Sequence, residues 1–142
     1  MLNQPAESGL PWRGIHHVAL RTTDLEATIK FYRDGMGMAV SDIAPDQGGR
    51  GRHCLVLVKP GDSETWGLHF FERPGPAENA NRQTLLHIAF RLPDQASAQL
   101  LRERLCRYKV ELTELPELNS FVCWDNNGLM LETTWPVPQV TT

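Results

Sequence analysis

The chain has 142 residues, which allows one domain with a core large enough to fold without metal or disulfide staples. Its formal net charge is −3 and no cluster of Lys or Arg stands out, which argues against a nucleic-acid partner. No apolar run approaches the roughly 20 residues of a membrane span, and Met1 to Trp12 lacks the apolar core of a signal peptide. Cys54, Cys106 and Cys123 are odd in number and lack metal or redox spacing, so they fit reduced thiols in a cytoplasmic protein.

Residues 1–13 read as a loose polar arm. Residues 14–22 alternate, with Ile15, His17, Ala19 and Arg21 on one face and His16, Val18 and Leu20 on the other, which is strand periodicity. Thr23 or Asp24 can cap the helix that follows. In it Leu25, Ile29, Tyr32 and Met36 share a face, and Gly35 and Gly37 supply the stop. Two β-type runs come next, Met38–Ile43 and Arg52–Lys59, joined by the loop Asp46-Gln47-Gly48-Gly49-Arg50-Gly51. Pro60-Gly61-Asp62 is a turn, and Trp66–Glu72 reads as a fourth strand. The first half is therefore β-α-β-β-β.

Residues 73–83 have linker composition. Thr84–Leu92 then repeats the first strand: His17-Val18-Ala19-Leu20-Arg21-Thr22-Thr23-Asp24 recurs as His87-Ile88-Ala89-Phe90-Arg91-Leu92-Pro93-Asp94. Pro93-Asp94 opens a helix in which Ala98, Leu101, Leu105 and Tyr108 share a face. Val110–Leu112, Ser120–Trp124 and Leu129–Trp135 are candidate strands, with Asn126-Asn127-Gly128 as a hairpin turn. The second half is again β-α-β-β-β. Residues 136–142 form a Pro-interrupted tail. A duplicated unit predicts two half-modules about a pseudo-twofold axis.

Parity then decides which side chains meet. Val18/Leu20 and Ile88/Phe90 are the apolar sides of the two repeated strands, under the helices. His17 and His87 lie on the opposite faces, with Ala19/Ala89 and Arg21/Arg91. In the last strand of the first half, Leu68 and Phe70 face the helix and His69 does not. In the last strand of the second half, Glu132 shares a face with Met130 and Thr134. If the halves curve toward each other, His17, His69, His87 and Glu132 converge on one cavity. Three imidazoles and a carboxylate suit a borderline divalent ion: Zn, Ni, Co, Mn or Fe(II).

A lone strand His is ordinarily a hydrogen-bonded packing residue. The repeat raises His17 and His87 together, and an ionised carboxylate among apolar neighbours, as at Glu132, needs a partner. His16 reads as packed or exposed on the helix side. His53 reads as a surface residue at the loop edge, within reach of a cavity mouth. Arg91 reads as a rim residue, and Arg21 is open between an ion pair at the rim and contact with an anionic substrate.

These residues resemble the vicinal oxygen chelate superfamily of glyoxalase I, bleomycin and fosfomycin resistance proteins, methylmalonyl-CoA epimerase and extradiol dioxygenases. The carriers are Ile15-His16-His17-Val18-Ala19-Leu20, Asp24-Leu25, Phe31-Tyr32, Gly35-Met36-Gly37-Met38, Leu86-His87-Ile88-Ala89-Phe90 and Asp125-Asn126-Asn127-Gly128-Leu129-Met130-Leu131-Glu132. They span residues 14–135. The resemblance implies an α+β fold of two βαβββ modules (14–72 and 84–135, linker 73–83) forming a curved mixed sheet around a metal site.

It also implies metal ligands at His17, His69, His87 and Glu132, with His69 standing where glyoxalase I has Glu. Arg21 matches a substrate-contacting position. The first reading of function is a divalent-metal-dependent, glyoxalase-like isomerase or lyase. It would act on a small molecule with vicinal oxygens through a metal-bound enediolate, with Glu132 as proton carrier or, failing that, His69. The alternative is an Fe(II)-dependent, extradiol-type dioxygenase, and a metal-free drug-binding resistance protein comes third. The Asn-Trp-Gly segment common in glyoxalase I is replaced by Arg73-Pro74-Gly75-Pro76, and the Tyr common in extradiol enzymes by Val122. The family's habit of pairing modules between chains, with the open sheet edge each module would expose, implies a homodimer.

Overall fold

The structure, a computed structural model, describes residues 2–4, 9–62, 64–75 and 85–136. Its elements run β1 (His17–Thr22), α1 (Leu25–Lys30), a π-helical turn (Phe31–Gly35), β2 (Ala39–Val40), β3 (His53–Leu57), β4 (Gly67–Glu72), β5 (His87–Arg91), α2 (Gln95–Arg107), β6 (Thr113–Leu115), a 3₁₀ turn (Pro116–Leu118), β7 (Ser120–Trp124) and β8 (Met130–Thr134). They build two four-stranded mixed sheets of identical order, β1-β4-β3-β2 and β5-β8-β7-β6. In each, the first strand runs parallel to the last and the remaining pairs are antiparallel. The fold is α+β, two βαβββ modules.

Both helices start where the sequence places a cap. The Asp24 carboxylate accepts the Ala27 N–H at 2.9 Å, and that of Asp94 accepts the Ser97 N–H at 2.8 Å. A second carboxylate serves α1 from outside: Glu72 of β4 accepts the Leu25 N–H at 2.9 Å. That bond, reinforced by Arg52, holds the Glu72 carboxyl below its ordinary range. At the stops the chain takes the left-handed backbone: Gly37, at φ 71°, lets it leave the π-helical turn, and Lys109, at φ 57°, follows α2.

The helices bury one apolar stripe each against their own sheet and against each other. Leu25, Tyr32 and Met36 from module one and Ala98, Leu101 and Leu105 from module two join Leu68, Phe70, Phe121, Leu131 and Trp135 in a single core. Polar ties cross the same seam. The Tyr32 hydroxyl donates to Asp125 at 2.7 Å, Thr22 to the Asn127 side-chain oxygen at 2.9 Å, and Asn126 to the Thr28 hydroxyl at 3.0 Å. The Arg104 guanidinium donates to the Asp34 carbonyl at 2.6 Å. The core therefore sits on the helical sides of the sheets, and the far side of β1 and β5 faces outward: His17, Ala19, His87, Ala89 and Arg91 are all exposed.

Several boundaries differ from expectation. The first strand begins at His17, not at residue 14, and the second shrinks to Ala39–Val40 with an isolated bridge from Ala44 to His53. Val110–Leu112 is not a strand. The Val110 N–H is bonded to the Leu105 carbonyl at 3.0 Å and closes α2, so the strand forms later, at Thr113–Leu115. Tyr108 is the C-cap of α2, after its last helical residue, so it leaves the buried stripe and stays 46% exposed. The linker expected at 73–83 lies outside the described residues from 76 onward, as do Thr84, part of the arm (1, 5–8) and the tail from 137. Among the described residues no helix is long and apolar enough to cross a membrane.

Candidate metal centre

Alternation and register place the donors. On β4, Leu68 and Phe70 are 2% and 1% exposed, which turns His69 to the outer face. His69 lies opposite Ala19 in the parallel β1–β4 ladder, so His17, two residues before Ala19, is its neighbour on that face. Their ring centroids are 5.8 Å apart. On β8, buried Leu131 and Thr133 turn Glu132 outward, opposite Ala89. His87 is again two residues upstream, and its Nε2 lies 3.3 Å from Glu132 Oε2.

The four residues thus form two pairs, one per sheet. The single chain does not gather them into one cluster: among the described residues, no group of three or more His, Cys, Asp or Glu side chains is assembled to hold an ion. The donor chemistry of each pair nevertheless fits a divalent metal. Two N/O donors about 2.0–2.2 Å from one ion, at ordinary coordination angles, stand about 3.0–3.4 Å apart. The His87–Glu132 separation falls inside that span.

Neighbours orient the imidazoles. His16 Nδ1 lies 2.8 Å from His17 Nδ1, a bond that leaves His17 Nε2 facing outward. Trp66 stacks on the His17 ring, centroids 5.3 Å apart and planes inclined by 26°. Burial, helped by His53 and His17, pushes the His69 pKa below its ordinary 6.5, which favours the neutral, metal-binding form. His53 is not the surface residue expected at a loop edge: its Nδ1 lies 2.8 Å from His69 Nε2, and it is half-buried. The signal for it was in the sequence. In His53–Leu57 the alternation buries Cys54 and Val56 and turns His53 to the opposite face, but only the β3–β4 pairing brings that face to His69.

Arg21 and Arg91 part company. The Arg21 guanidinium donates to the Pro74 and Gly75 carbonyls at 3.0 and 2.8 Å, holding the start of the linker, and lines a cavity of about 370 Å³ at the module seam with Asn126 and Asn127. Arg91 is exposed. The three cysteines are free, and burial raises the Cys54 and Cys123 thiols to about 11, so neither is a reactive thiolate.

The same fold recurs in solved structures. A glyoxalase/bleomycin resistance protein/dioxygenase domain from Frankia sp. superposes with a TM-score of 0.70 at 21% identity, covering 89% of this chain and 99% of that one. The trypanothione-dependent glyoxalase I of Leishmania major gives 0.67 at 22% identity, covering 87% and 86%. A fosfomycin resistance protein, FosX, from Listeria monocytogenes, solved with Mn(II) and dihydroxypropylphosphonic acid, gives 0.65 at 18%, covering 90% and 96%. No match was found among curated protein sequences. The duplicated modules, their shared register and the match of residues 14–133 to the family as a whole lead to one assignment: the chain belongs to the Glyoxalase/Bleomycin resistance protein/Dioxygenase superfamily.

Proposed function

We propose that this chain is a divalent-metal-dependent enzyme acting on a small molecule with adjacent oxygens. We further propose that it works as a homodimer, in which each site joins His17 and His69 of one chain to His87 and Glu132 of the other. The observation that carries this reading is the shared register: each sheet presents two donors at matching positions on its outward face. Each module exposes half a ligand set, and a second copy is the simplest source of the other half.

The residues have distinct tasks. His17, His69 and His87 hold the ion as neutral imidazoles, with His16 fixing the tautomer of His17. When bound, the ion supplies Lewis-acid polarisation of a substrate oxygen. Ala19 and Ala89, opposite His69 and Glu132, present only methyl groups beside the donors and leave room for a substrate. Glu132 is the one carboxylate of the set. It accepts a proton from the carbon next to a carbonyl and returns it to the neighbouring carbon, which is isomerase or lyase chemistry.

A second reading is Fe(II)-dependent cleavage of a catechol, with His17, His87 and Glu132 as the metal triad and His69 moving the proton. The observation that favours it is the place of His69 beside His17 on the outward face, ring centroids 5.8 Å apart, close to an ion on His17 without having to bind it. Elemental analysis of the purified protein, followed by a screen of 2-oxoaldehyde–thiol adducts against catechols, tests both. Nickel, cobalt or zinc with turnover of an adduct supports the isomerase or lyase. Iron with catechol cleavage supports the dioxygenase. A metal-free protein inert toward both classes overturns the proposal.

A further inference from the structure

We infer that His53 is an additional metal donor, its Nδ1 sharing the ion with His69 Nε2, so that module one contributes three imidazoles and not two. This rests on the metal-dependent reading above and goes beyond it, since neither the repeat nor the family resemblance points to His53.

The geometry carries the inference. His53 Nδ1 and His69 Nε2 lie 2.8 Å apart on neighbouring strands. That is within a few tenths of an ångström of the roughly 3.0–3.4 Å expected for two nitrogens on one ion. A supporting residue outside the coordination sphere bonds the nitrogen that the metal does not use. His16 does this for His17, meeting it at Nδ1. His53 meets His69 at Nε2, the distal nitrogen of the ring, which we assign to the ion. A lone pair given to a metal cannot also accept a hydrogen bond. With an ion on His69 Nε2, His53 either ligates beside it or must turn away.

Turning away is opposed by packing. The His53 ring stacks on Phe71, centroids 5.3 Å apart and planes inclined by 21°, and Phe71 also packs on His69 at 4.1 Å. The backbone around His53 is pinned as well: its N–H and C=O both bond Ala44, at 3.1 and 2.8 Å. In the absence of metal one proton joins the two nitrogens. Metal binding moves that proton to the other nitrogen of its own ring, a change of tautomer, and leaves both lone pairs on the ion.

The test uses the full-length protein and Zn(II). Histidine side chains are labelled with ¹⁵N and their ring resonances followed during Zn(II) titration, while calorimetry gives the affinity of the wild type, His53→Ala and His53→Phe. The phenylalanine variant keeps the ring stack on Phe71 and removes only the nitrogens. The expected result is a Zn(II)-dependent shift of His53 Nδ1 in the wild type. Both variants should lose affinity by more than the roughly 10- to 100-fold typical of an outer-sphere partner. An unmoved His53 Nδ1 in a Zn(II)-loaded wild type overturns the inference and leaves the metal-dependent reading intact. Wild-type affinity in His53→Phe does the same. A wild type that binds no Zn(II), Ni(II), Co(II), Mn(II) or Fe(II) removes both.

Discussion

His69 and Glu132 hold the same place in two different sheets. His69 lies opposite Ala19 on β4 and Glu132 opposite Ala89 on β8, each with a histidine two residues upstream on the parallel neighbour. The duplication has thus kept the position of a donor while changing its chemistry, imidazole in one module and carboxylate in the other. One consequence is asymmetry. Under the proposed reading, a site drawing one pair from each module has its single carboxylate in module two, so proton acceptance falls to that module while both modules hold the ion.

If sites are shared between two chains, single-module defects should complement. His17→Ala and His87→Ala homodimers should each lose metal. Mixed under conditions that let subunits exchange, each hybrid dimer should regain one intact site, built from the unaltered His17 of one chain and the unaltered His87 of the other. Metal content and sedimentation mass read this directly. A monomer at micromolar concentration, or no recovery of metal on mixing, would show that the site is not shared.

Glu132→Gln should retain metal, because the amide oxygen can still ligate. Turnover should fall by the roughly 10²–10⁴-fold typical of losing a general base. His87→Ala should strip the metal while leaving the fold, since the His87 side chain is 45% exposed and lies outside the core. Undiminished turnover in Glu132→Gln would move the proton-transfer role to His69.

The metal-free protein should lose stability as pH falls below the ordinary histidine range. Burial lowers the His69 pKa in the folded state from 6.5. Between the two values the unfolded chain binds the extra proton, so stability rises with pH there and is lost as acid is added. Urea unfolding of metal-free protein at about pH 7.5 and about pH 5.5 should show a lower midpoint in acid, with the difference smaller in His69→Gln. Equal pH responses in the two proteins would place the acid sensitivity elsewhere.

Tyr32 and Asp125 form one buried tie across the seam between modules. Tyr32 is fully buried, Asp125 is 6% exposed, and burial together with the carboxylate drives the tyrosine pKa far up, so the phenol stays protonated and donates. Tyr32→Phe removes that donor and should cost about 1–3 kcal/mol. The denaturation midpoint should fall with no change in slope. An unchanged midpoint would mean that Asp125 is satisfied by the Asn127 and Leu129 N–H groups alone, both at 2.8 Å.

Gly51 should tolerate no side chain. Its φ is 95°, and a Cβ there would collide with the backbone carbonyl of Glu72, whose N–H is bonded to the Arg52 carbonyl. Gly51→Ala is expected to cost on the order of 2–3 kcal/mol, combining left-handed backbone with displacement of β4. Gly48→Ala, which meets open space, is the control for the backbone effect alone. Equal losses in the two variants would show that the Glu72 contact does not matter.

The sequence by itself determined whatever depends on local alternation. The repeat of His17–Asp24 at His87–Asp94 foretold two equivalent modules, and period-two patterns put His69 and Glu132 on faces opposite buried Leu68, Phe70 and Leu131. Asp24 and Asp94 were legible as caps because a capping carboxylate acts within three residues. Tertiary structure decided what depends on neighbours distant in sequence. Val110 reads as a strand but is claimed by the Leu105 carbonyl at the end of α2. His53 reads as a loop-edge surface residue, and only the β3–β4 pairing turns it onto His69. The sheets keep His17 with His69 and His87 with Glu132 because the helical sides of both modules bury one common core. Apolar burial at that seam outweighs any attraction among solvated donors, and it leaves the two pairs facing outward.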